Sequence, residues 1–259
     1  MDATEKFSGR AKDYAAGRPG YAPAFIEYLY DRFADLPQAA VADVGCGTGK
    51  FAALLLARGT TVYGVEPNAD MRVVCARELQ DFAKFHPVVG DAADSTLPDA
   101  AVDYVTVAQA FHWFDPDRFA AECRRILRKD GSVILLWNIR DPGSAFKEAL
   151  CRVLEAHCPD YHGFNNGLVW DDARIVRFFG GRYERVAFDH PLRMNRERFM
   201  ARCFSASYSL RAEDAGFDAY TAALGHLFDA FAENGVVTIP NHTVAYIGGV
   251  PDADTAGKD

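Results

Sequence analysis

The strongest local signal in this chain is the stretch Asp43-Val44-Gly45-Cys46-Gly47-Thr48-Gly49, which lies between a strand-like apolar segment and a helix-like one. Glycines at alternating positions after a strand let the backbone approach a ligand where any Cβ atom would collide. In the dinucleotide-binding pattern Gly-x-Gly-x-x-Gly, the third glycine would fall at the position of Lys50. The stretch therefore predicts a ligand-binding loop whose glycine spacing differs from the dinucleotide one.

Strand-like and helix-like segments alternate around this loop. Strands are predicted at residues 39–44, 61–66, 87–89, 102–108, 131–137, 183–189 and 236–247. Helices are predicted at residues 21–34, 50–58, after the capping residue Asn68, from Asp115-Pro116 to Leu127, and at residues 144–157, 171–179, 196–204 and 213–233. This rhythm predicts an α/β fold, with a doubly wound, seven-stranded, mostly parallel sheet and helices on both faces. Ligands of such sheets bind beyond the carboxyl ends of the strands, where the strand order reverses.

We interpret residues 1–259 as a single domain with four parts. Residues 1–38 form an N-terminal helical lid, and residues 39–140 form the ligand-binding core. Residues 141–250 supply helical cap insertions and the last strands, and residues 251–259 are a flexible tail.

Composition narrows the classes of function. A chain of 259 residues with 49% hydrophobic content can bury one substantial core. The net charge of −8 argues against nucleic-acid or membrane partners, which favour a basic face. The N-terminus lacks the apolar segment of a signal peptide, and the six cysteines form no Cys-x-x-Cys pair. We therefore expect a cytoplasmic protein without a metal site, acting on a small molecule as a monomer or homodimer.

Three ordered motifs resemble one enzyme family. With its acidic residue at the strand end, the pattern of residues 43–49 resembles the first motif of the class I S-adenosylmethionine-dependent methyltransferases. The segment Ala-Gln-Ala-Phe-His-Trp-Phe-Asp of residues 108–115 and the opening pattern of residues 7–21 resemble a small-molecule branch of that family. This branch includes trans-aconitate methyltransferase-like and ubiquinone-pathway enzymes. The resemblance covers roughly residues 5–140, and it departs where Lys129-Asp130-Gly131 replaces the usual Pro-Gly-Gly turn.

The resemblance implies a Rossmann-like methyltransferase fold, S-adenosylmethionine as cofactor and S-adenosylhomocysteine as product. Glu66 would accept hydrogen bonds from both ribose hydroxyls, and Asp91 would accept one from the adenine amino group. Met71 would lie against the adenine, although ordinary helix packing also explains it. The full expected cofactor site is Tyr14, Arg18, Asp43, Gly45, Cys46, Gly47, Gly49, Glu66, Pro67, Met71, Asp91, Ala92 and Gln109.

His112 is the candidate catalytic residue. Its imidazole follows the fourth strand and can take a proton from the acceptor, or it can orient a loop through a backbone contact. The expected acceptor site comprises Tyr14, His112, Trp113, Trp137, Asn138, Tyr208 and His242, with Arg140 leaving the fifth strand beside them. The basic run Arg193, Arg196, Arg198 and Arg202 is interpreted as a solvated helix face, with an acidic acceptor as the alternative.

The sequence supports methyl transfer to an oxygen or nitrogen nucleophile of a small molecule. An NAD-dependent oxidoreductase would share Glu66 and the sheet, but it fits the glycine spacing poorly. A protein that binds S-adenosylmethionine or S-adenosylhomocysteine without catalysis is the other alternative.

Overall fold

The computed structural model describes residues 20–141, 143–164 and 172–252. Tyr14 and Arg18, both predicted to belong to the cofactor site, therefore lie outside the described residues. The strands are β1 (Ala40–Val44), β2 (Thr61–Val65), β3 (Phe85–Val88), β4 (Val102–Ala108), β5 (Leu127–Arg140), β6 (Glu184–Asp189), β7 (Leu192–Asn195), β8 (Ala232–Glu233), β9 (Val236–Ile239) and β10 (Asn241–Gly248). The helices are α1 (Pro23–Arg32), α2 (Lys50–Leu56), α3 (Ala69–Glu78), α4 (Pro116–Ile126), α5 (Ala145–His157), α6 (Ala173–Phe179), α7 (Arg196–Phe204) and α8 (Phe217–Phe231).

The main sheet has seven strands in the order β3-β2-β1-β4-β5-β10-β6. Strands β1 to β5 run parallel, and β10 runs antiparallel to both β5 and β6. The doubly wound, mostly parallel sheet predicted from the sequence is therefore confirmed. The chain order reverses between β1 and β4, and the glycine loop follows β1 at this point. The topology thus opens a crevice at the carboxyl ends of β1, β2 and β4.

Two apolar layers cover the faces of this sheet. On one face, Phe25 of α1 and Phe51 of α2 pack in a cluster that includes Leu136 of β5. On the other face, Phe119 of α4 stacks on Phe178 of α6 with ring centroids 5.3 Å apart. Helix α6 belongs to this second layer, so it contributes to the core rather than to the cap in which the sequence interpretation placed it. No helix among the described residues is long and apolar enough to cross a membrane.

The cap consists of α5, α7, α8 and a three-stranded sheet in the order β7-β9-β8. It has its own hydrophobic cluster, in which Phe146, Phe199 and Leu224 are fully buried. The helical insertions predicted after residue 140 therefore form a second, smaller core beside the main sheet.

Three predicted strands differ from the structure by more than one residue. The predicted strand 236–247 splits at Pro240 into β9 and β10, which belong to different sheets, because proline has no N–H to donate to a ladder. The predicted turn around Asp130 is a bulge within the longer strand β5, and Asp130 has a φ of 65°. Strand β3 begins at Phe85 instead of Pro87, and the short strand β7 had no prediction.

Glu122 of α4 joins that helix to the loop that follows β3. Its Oε1 atom accepts hydrogen bonds from Ser95 N at 2.8 Å and from Arg125 Nη2 at 2.6 Å, and Oε2 accepts from Arg125 Nε at 2.9 Å. Burial raises the pKa of the Glu122 carboxyl, but the hydrogen bonds from Arg125 and Ser95 outweigh burial and lower it overall. The ionised carboxylate thus stabilises the loop that carries Asp91.

We predict that Glu122→Gln lowers the free energy of unfolding by about 1.5–3 kcal/mol at pH 7, because charge-assisted hydrogen bonds are lost. Since the folded-state pKa of Glu122 is lowered, its contribution is present above the ordinary glutamate pKa of ~4.3 and disappears as the pH falls through the folded-state value. Urea denaturation at pH 7 and at acidic pH measures both effects. The exposed Glu155→Gln is the control, and an equal loss in both variants would contradict the assignment.

Candidate active site

A cavity of about 370 Å³ lies at the carboxyl ends of β1, β2 and β4. Its volume is in the range of small-molecule sites. The cavity is lined by Gly45, Gly47, Glu66, Pro67, Asn68, Met71, Asp91, Ala92, Ala93, Ala108, Gln109, Ala110, Trp113, Phe114, Asp115 and Arg118. Of the cofactor residues predicted from the sequence, Gly45, Gly47, Glu66, Pro67, Met71, Asp91, Ala92 and Gln109 lie together on this wall, as does Trp113 of the predicted acceptor site.

The three glycines of the loop have positive φ angles but different surroundings. A Cβ atom on Gly45 would lie 2.7 Å from the Cβ of Ala110, and one on Gly49 would lie 2.6 Å from the Leu79 side chain. A Cβ atom on Gly47 would meet nothing within 4 Å. Gly45 and Gly49 therefore allow close packing of the protein on itself, whereas Gly47 keeps space open within the cavity.

Glu66 follows β2 and is 8% exposed. Its Oε2 atom accepts a hydrogen bond from Gly47 N, and its Oε1 atom accepts one from Asn68 N, both at 2.9 Å. Burial raises the pKa of the Glu66 carboxyl, and these two hydrogen bonds together with the nearby charge of Arg72 oppose that rise. Each carboxylate oxygen has two acceptor positions, so Glu66 retains capacity for a ligand in the cavity.

Two further wall segments come from helix α3 and from the loop after β3. Asn68 caps α3 by accepting from Met71 N at 3.0 Å, which places the buried Met71 on the cavity wall. Asp91 is exposed, and its Oδ1 atom accepts from Ala93 N at 2.7 Å and from Asp94 N at 3.0 Å. The Asp91 carboxylate therefore shapes its own turn while lining the cavity.

Gln109 follows β4 directly and has a left-handed backbone conformation, with a φ of 64°. Its N–H donates to the Leu136 carbonyl at 2.9 Å, which fixes it to β5. Non-glycine residues adopt such a backbone at a cost and cluster at functional sites. After it, Asp115 accepts from Arg118 N at 3.1 Å and begins α4, as the sequence predicted.

Several wall residues were not predicted, namely Asn68, Ala93, Ala108, Ala110, Phe114, Asp115 and Arg118. Most of them adjoin predicted residues in the motifs of residues 66–71, 91–92 and 108–115. Treating every residue of these motif segments as a candidate would therefore have found most of them. Asn68 had been recognised only as a helix cap.

Asp43 and Cys46 lie behind the glycine loop instead of on the cavity wall. Asp43 is fully buried, and its Oδ1 atom accepts from the Thr106 hydroxyl at 2.8 Å. Among the described residues, no group forms a hydrogen bond with its buried Oδ2 atom. Burial raises the pKa of the Asp43 carboxyl to about 7. The free thiols of Cys46 and Cys75 are hydrogen-bonded to each other. This hydrogen bond and burial together raise the pKa of the Cys46 thiol well above its usual range.

His112 lies in a short 3₁₀ helix (Phe111–Trp113) and is oriented by Trp137. The buried Trp137 donates from Nε1 to His112 Nδ1 over 3.4 Å. A neutral imidazole that accepts at Nδ1 carries its proton on Nε2, so the ring's lone pair faces Trp137 rather than an acceptor. The geometry favours the loop-orienting role of His112 that the sequence left open.

The other predicted acceptor residues that the structure describes are not among the lining residues of this cavity. Asn138 donates from Nδ2 to the Gly20 carbonyl at 2.8 Å and accepts from Thr243 Oγ1 at 2.8 Å, so it fastens the chain before α1 to the sheet. The Nδ1 atom of His242 lies 3.0 Å from the Asp189 carboxylate. Tyr208 packs in the cap, edge-on to the ring of Tyr161 at 5.0 Å. Among the described residues, no group of three or more His, Cys, Asp or Glu side chains is arranged to hold a metal ion.

The chain is similar to known methyltransferases. The family model described as a methyltransferase domain matches residues 42–135. An uncharacterized methyltransferase from Mycobacterium bovis is 39% identical over 142 residues, which cover 54% of this chain and 55% of that relative. The chain thus spans about half the length of this and the other first relatives that it matches.

A second relative and a solved structure extend this similarity. An uncharacterized methyltransferase from Geobacillus thermodenitrificans is 31% identical over 159 residues, which cover 58% of this chain and 71% of that relative. A protein from Anaeromyxobacter dehalogenans, named as a type II methyltransferase, shares the fold with a TM-score of 0.57 and 21% identity, covering 91% of this chain and 99% of that one. With the sheet order and the glycine loop described above, these similarities show that the chain belongs to the class I S-adenosylmethionine-dependent methyltransferase family.

Proposed function

We propose that the protein transfers the methyl group of S-adenosylmethionine to an oxygen or nitrogen nucleophile of a small molecule. The observation that carries this proposal is the open space above Gly47, directly beside the buried carboxylate of Glu66. Family membership gives the class of cofactor, and these two residues supply a place for it.

The cavity residues fit the chemistry of this cofactor. Glu66 offers acceptor positions to ribose hydroxyls, and Met71 offers a polarizable surface to an adenine ring. Glu66 and the buried Asp43 are both acidic, which suits a ligand that carries an ammonium and a sulfonium cation. Among the described residues of the cavity wall, Arg118 is the only basic one, which gives a phosphate little electrostatic support.

When bound, S-adenosylmethionine supplies a methyl carbon that bonds to the nucleophile as its bond to sulfur breaks, with the bonding electron pair left on a neutral thioether. The protein's residues would position the reactants. Glu66 and Gly47, which are hydrogen-bonded to each other, would hold the adenosine part. The Gln109 backbone, which is bonded to Leu136, fixes the cavity wall near the ends of β4 and β5. Trp113 and Phe114 supply apolar surface that limits water. Positioning of this kind can contribute about 7–11 kcal/mol to lowering a barrier.

The acceptor is a small molecule in this proposal, since the net charge of −8 gives no electrostatic support for a nucleic-acid or membrane substrate. The alternative of an NAD-dependent oxidoreductase is not favoured, because the family model and the relatives that the chain matches are methyltransferases. A protein that binds the cofactor without catalysis is the remaining alternative, and cofactor binding without methyl transfer to any compound of a broad acceptor screen would favour it.

Glu66→Gln tests the ribose contact. We expect S-adenosylhomocysteine to bind at least about tenfold more weakly, because a hydrogen bond to a charged acceptor contributes about 1.5–3 kcal/mol. Isothermal titration calorimetry measures the affinity, and the exposed Glu78→Gln of α3 matches the change in charge. Unchanged affinity in a folded Glu66→Gln protein would remove Glu66 from the site.

Gly47→Val tests the open space in the glycine loop. We expect this substitution to abolish S-adenosylhomocysteine binding, because its side chain would occupy the cavity. Gly235→Val is a closely matched control: Gly235 has a φ of 75° against 57° for Gly47, and a Cβ atom there also meets nothing within 4 Å, but it lies outside the cavity. Equal affinity of both variants for the ligand would show that the loop is not the cradle.

His112→Asn separates the two roles of the histidine. Because His112 Nδ1 accepts a hydrogen bond from Trp137, we expect the asparagine side chain to replace that acceptor. The loss of turnover should therefore be much smaller than the loss of about 10²–10⁴-fold expected when a general base is removed. The pH–rate profile should keep its shape near ~6.5, the ordinary histidine pKa. Single-turnover assays measure both quantities, after a screen of carboxylic acids, phenols and heteroaromatic amines has given an acceptor. A loss of that size, with a missing limb in the profile, would restore the base.

A further inference from the structure

Arg140 lies at the end of β5, beyond the end of the neighbouring strand β4. Ala108, the last residue of β4, pairs with Leu136, so Arg140 is four residues farther along β5. At about 3.3 Å per residue, this offset places the Arg140 backbone about 13 Å past the end of β4. Arg140 therefore belongs to the side of the molecule where the cap meets the carboxyl ends of the strands.

The Arg140 guanidinium lies against one end of a row of aromatic side chains. Its central carbon lies 4.0 Å from the ring centroid of Phe164. The Phe164 ring packs edge-on against Tyr161 at 5.4 Å, and Tyr161 packs edge-on against Tyr208 at 5.0 Å. We call Arg140, Tyr161, Phe164 and Tyr208 the arginine–aromatic cluster.

The guanidinium has no carboxylate partner among the residues that the structure describes. The Nε atom of Arg140 is buried and has no hydrogen-bond acceptor. The adjacent Asp141 is directed elsewhere, since its Oδ1 atom accepts from Gly143 N at 2.9 Å and its Oδ2 atom lies 3.9 Å from His242 Nε2. Such isolation is notable in a chain with 36 acidic and 28 basic residues, because a desolvated charge without a partner is costly.

The positive charge of Arg140 also affects the pKa values of two neighbouring side chains, Cys203 and Tyr161. Burial raises the pKa of the Cys203 thiol to about 12, and the charges of Arg140 and Arg202 oppose that rise. Burial and the Cys151 thiol raise the pKa of Tyr161, and Arg140 again acts in the opposite direction. Neither shift has an Asp or Glu of the described residues among its largest causes. The cluster therefore has the electrostatic character of an anion site.

We propose that the arginine–aromatic cluster binds a carboxylate of the methyl acceptor, which makes the substrate a small carboxylic acid. The planar guanidinium of Arg140 can donate two parallel hydrogen bonds to a carboxylate, and the rings of Phe164, Tyr161 and Tyr208 provide a surface for the acid's carbon skeleton. This inference rests on the proposed methyl transfer, for which it names the class of acceptor.

The test compares acids with neutral molecules of the same shape. Benzoate, trans-cinnamate and adipate, each with its neutral amide, are titrated calorimetrically into protein saturated with S-adenosylhomocysteine and into protein without it. We expect at least one acid to bind at least about tenfold more tightly than its amide, in line with charge-assisted hydrogen bonding. Arg140→Gln should remove this preference while leaving the affinity for S-adenosylhomocysteine unchanged.

Two further variants exclude simpler explanations. Arg140→Lys keeps the charge without the two-pronged geometry, and we expect it to retain part of the preference for the acid. Arg198→Gln removes the same charge from an exposed position of α7 and should retain all of it. Equal affinity for acid and amide, no measurable binding of any acid, or an unchanged preference in Arg140→Gln would overturn the proposal. If the unsubstituted protein did not bind S-adenosylhomocysteine, the proposed methyl transfer would be overturned instead. The titration of acids into protein without S-adenosylhomocysteine keeps this result distinct from a failure of the acid site.

Discussion

The carboxylate of Glu66 holds two separate backbone segments in place, and the form of the cavity depends on it. One oxygen accepts from the glycine loop at Gly47, and the other accepts from Asn68 at the start of α3. The end of β2 thereby aligns the loop after β1 with the helix that presents Met71. The two backbone hydrogen bonds offset part of the cost of burying this carboxylate, so the same contacts shape the site and keep an acceptor available there.

The molecule separates its charges along the direction of the strands. The acidic groups Asp43 and Glu66 lie at or behind the glycine loop, where burial raises their pKa values. Arg140, which has no carboxylate partner among the described residues, lies farther along β5 against the ring of Phe164. In the proposed reaction a cationic donor meets the acidic end and an anionic acceptor meets the basic end. In that reaction, groups of opposite charge at the two places would discriminate between the two ligands.

Sequence predicted the parts of the structure that depend on local signals. The glycine spacing after β1 and the caps at Asn68 and Asp115 are encoded within a few residues, and the structure has a loop and two helices there. Long-range features were not readable in this way. The division of residues 236–247 between two sheets depends on partners far away in sequence, and so does the use of Asn138 to bind the Gly20 carbonyl. The isolation of Arg140 from carboxylates is likewise visible only after folding.

The places where the chain leaves or enters β5, β6 and β10 lie side by side at the boundary between the main sheet and the cap. The N–H of Asp141, which leaves β5, donates to the carbonyl of Pro240, which precedes β10. The N–H of His190, which leaves β6, donates to the carbonyl of Asn241. These hydrogen bonds join the cap to the sheet, and the cap has its own core. Because the two cores are separate, substitutions inside the cap can accumulate in evolution without disturbing the packing of the main sheet.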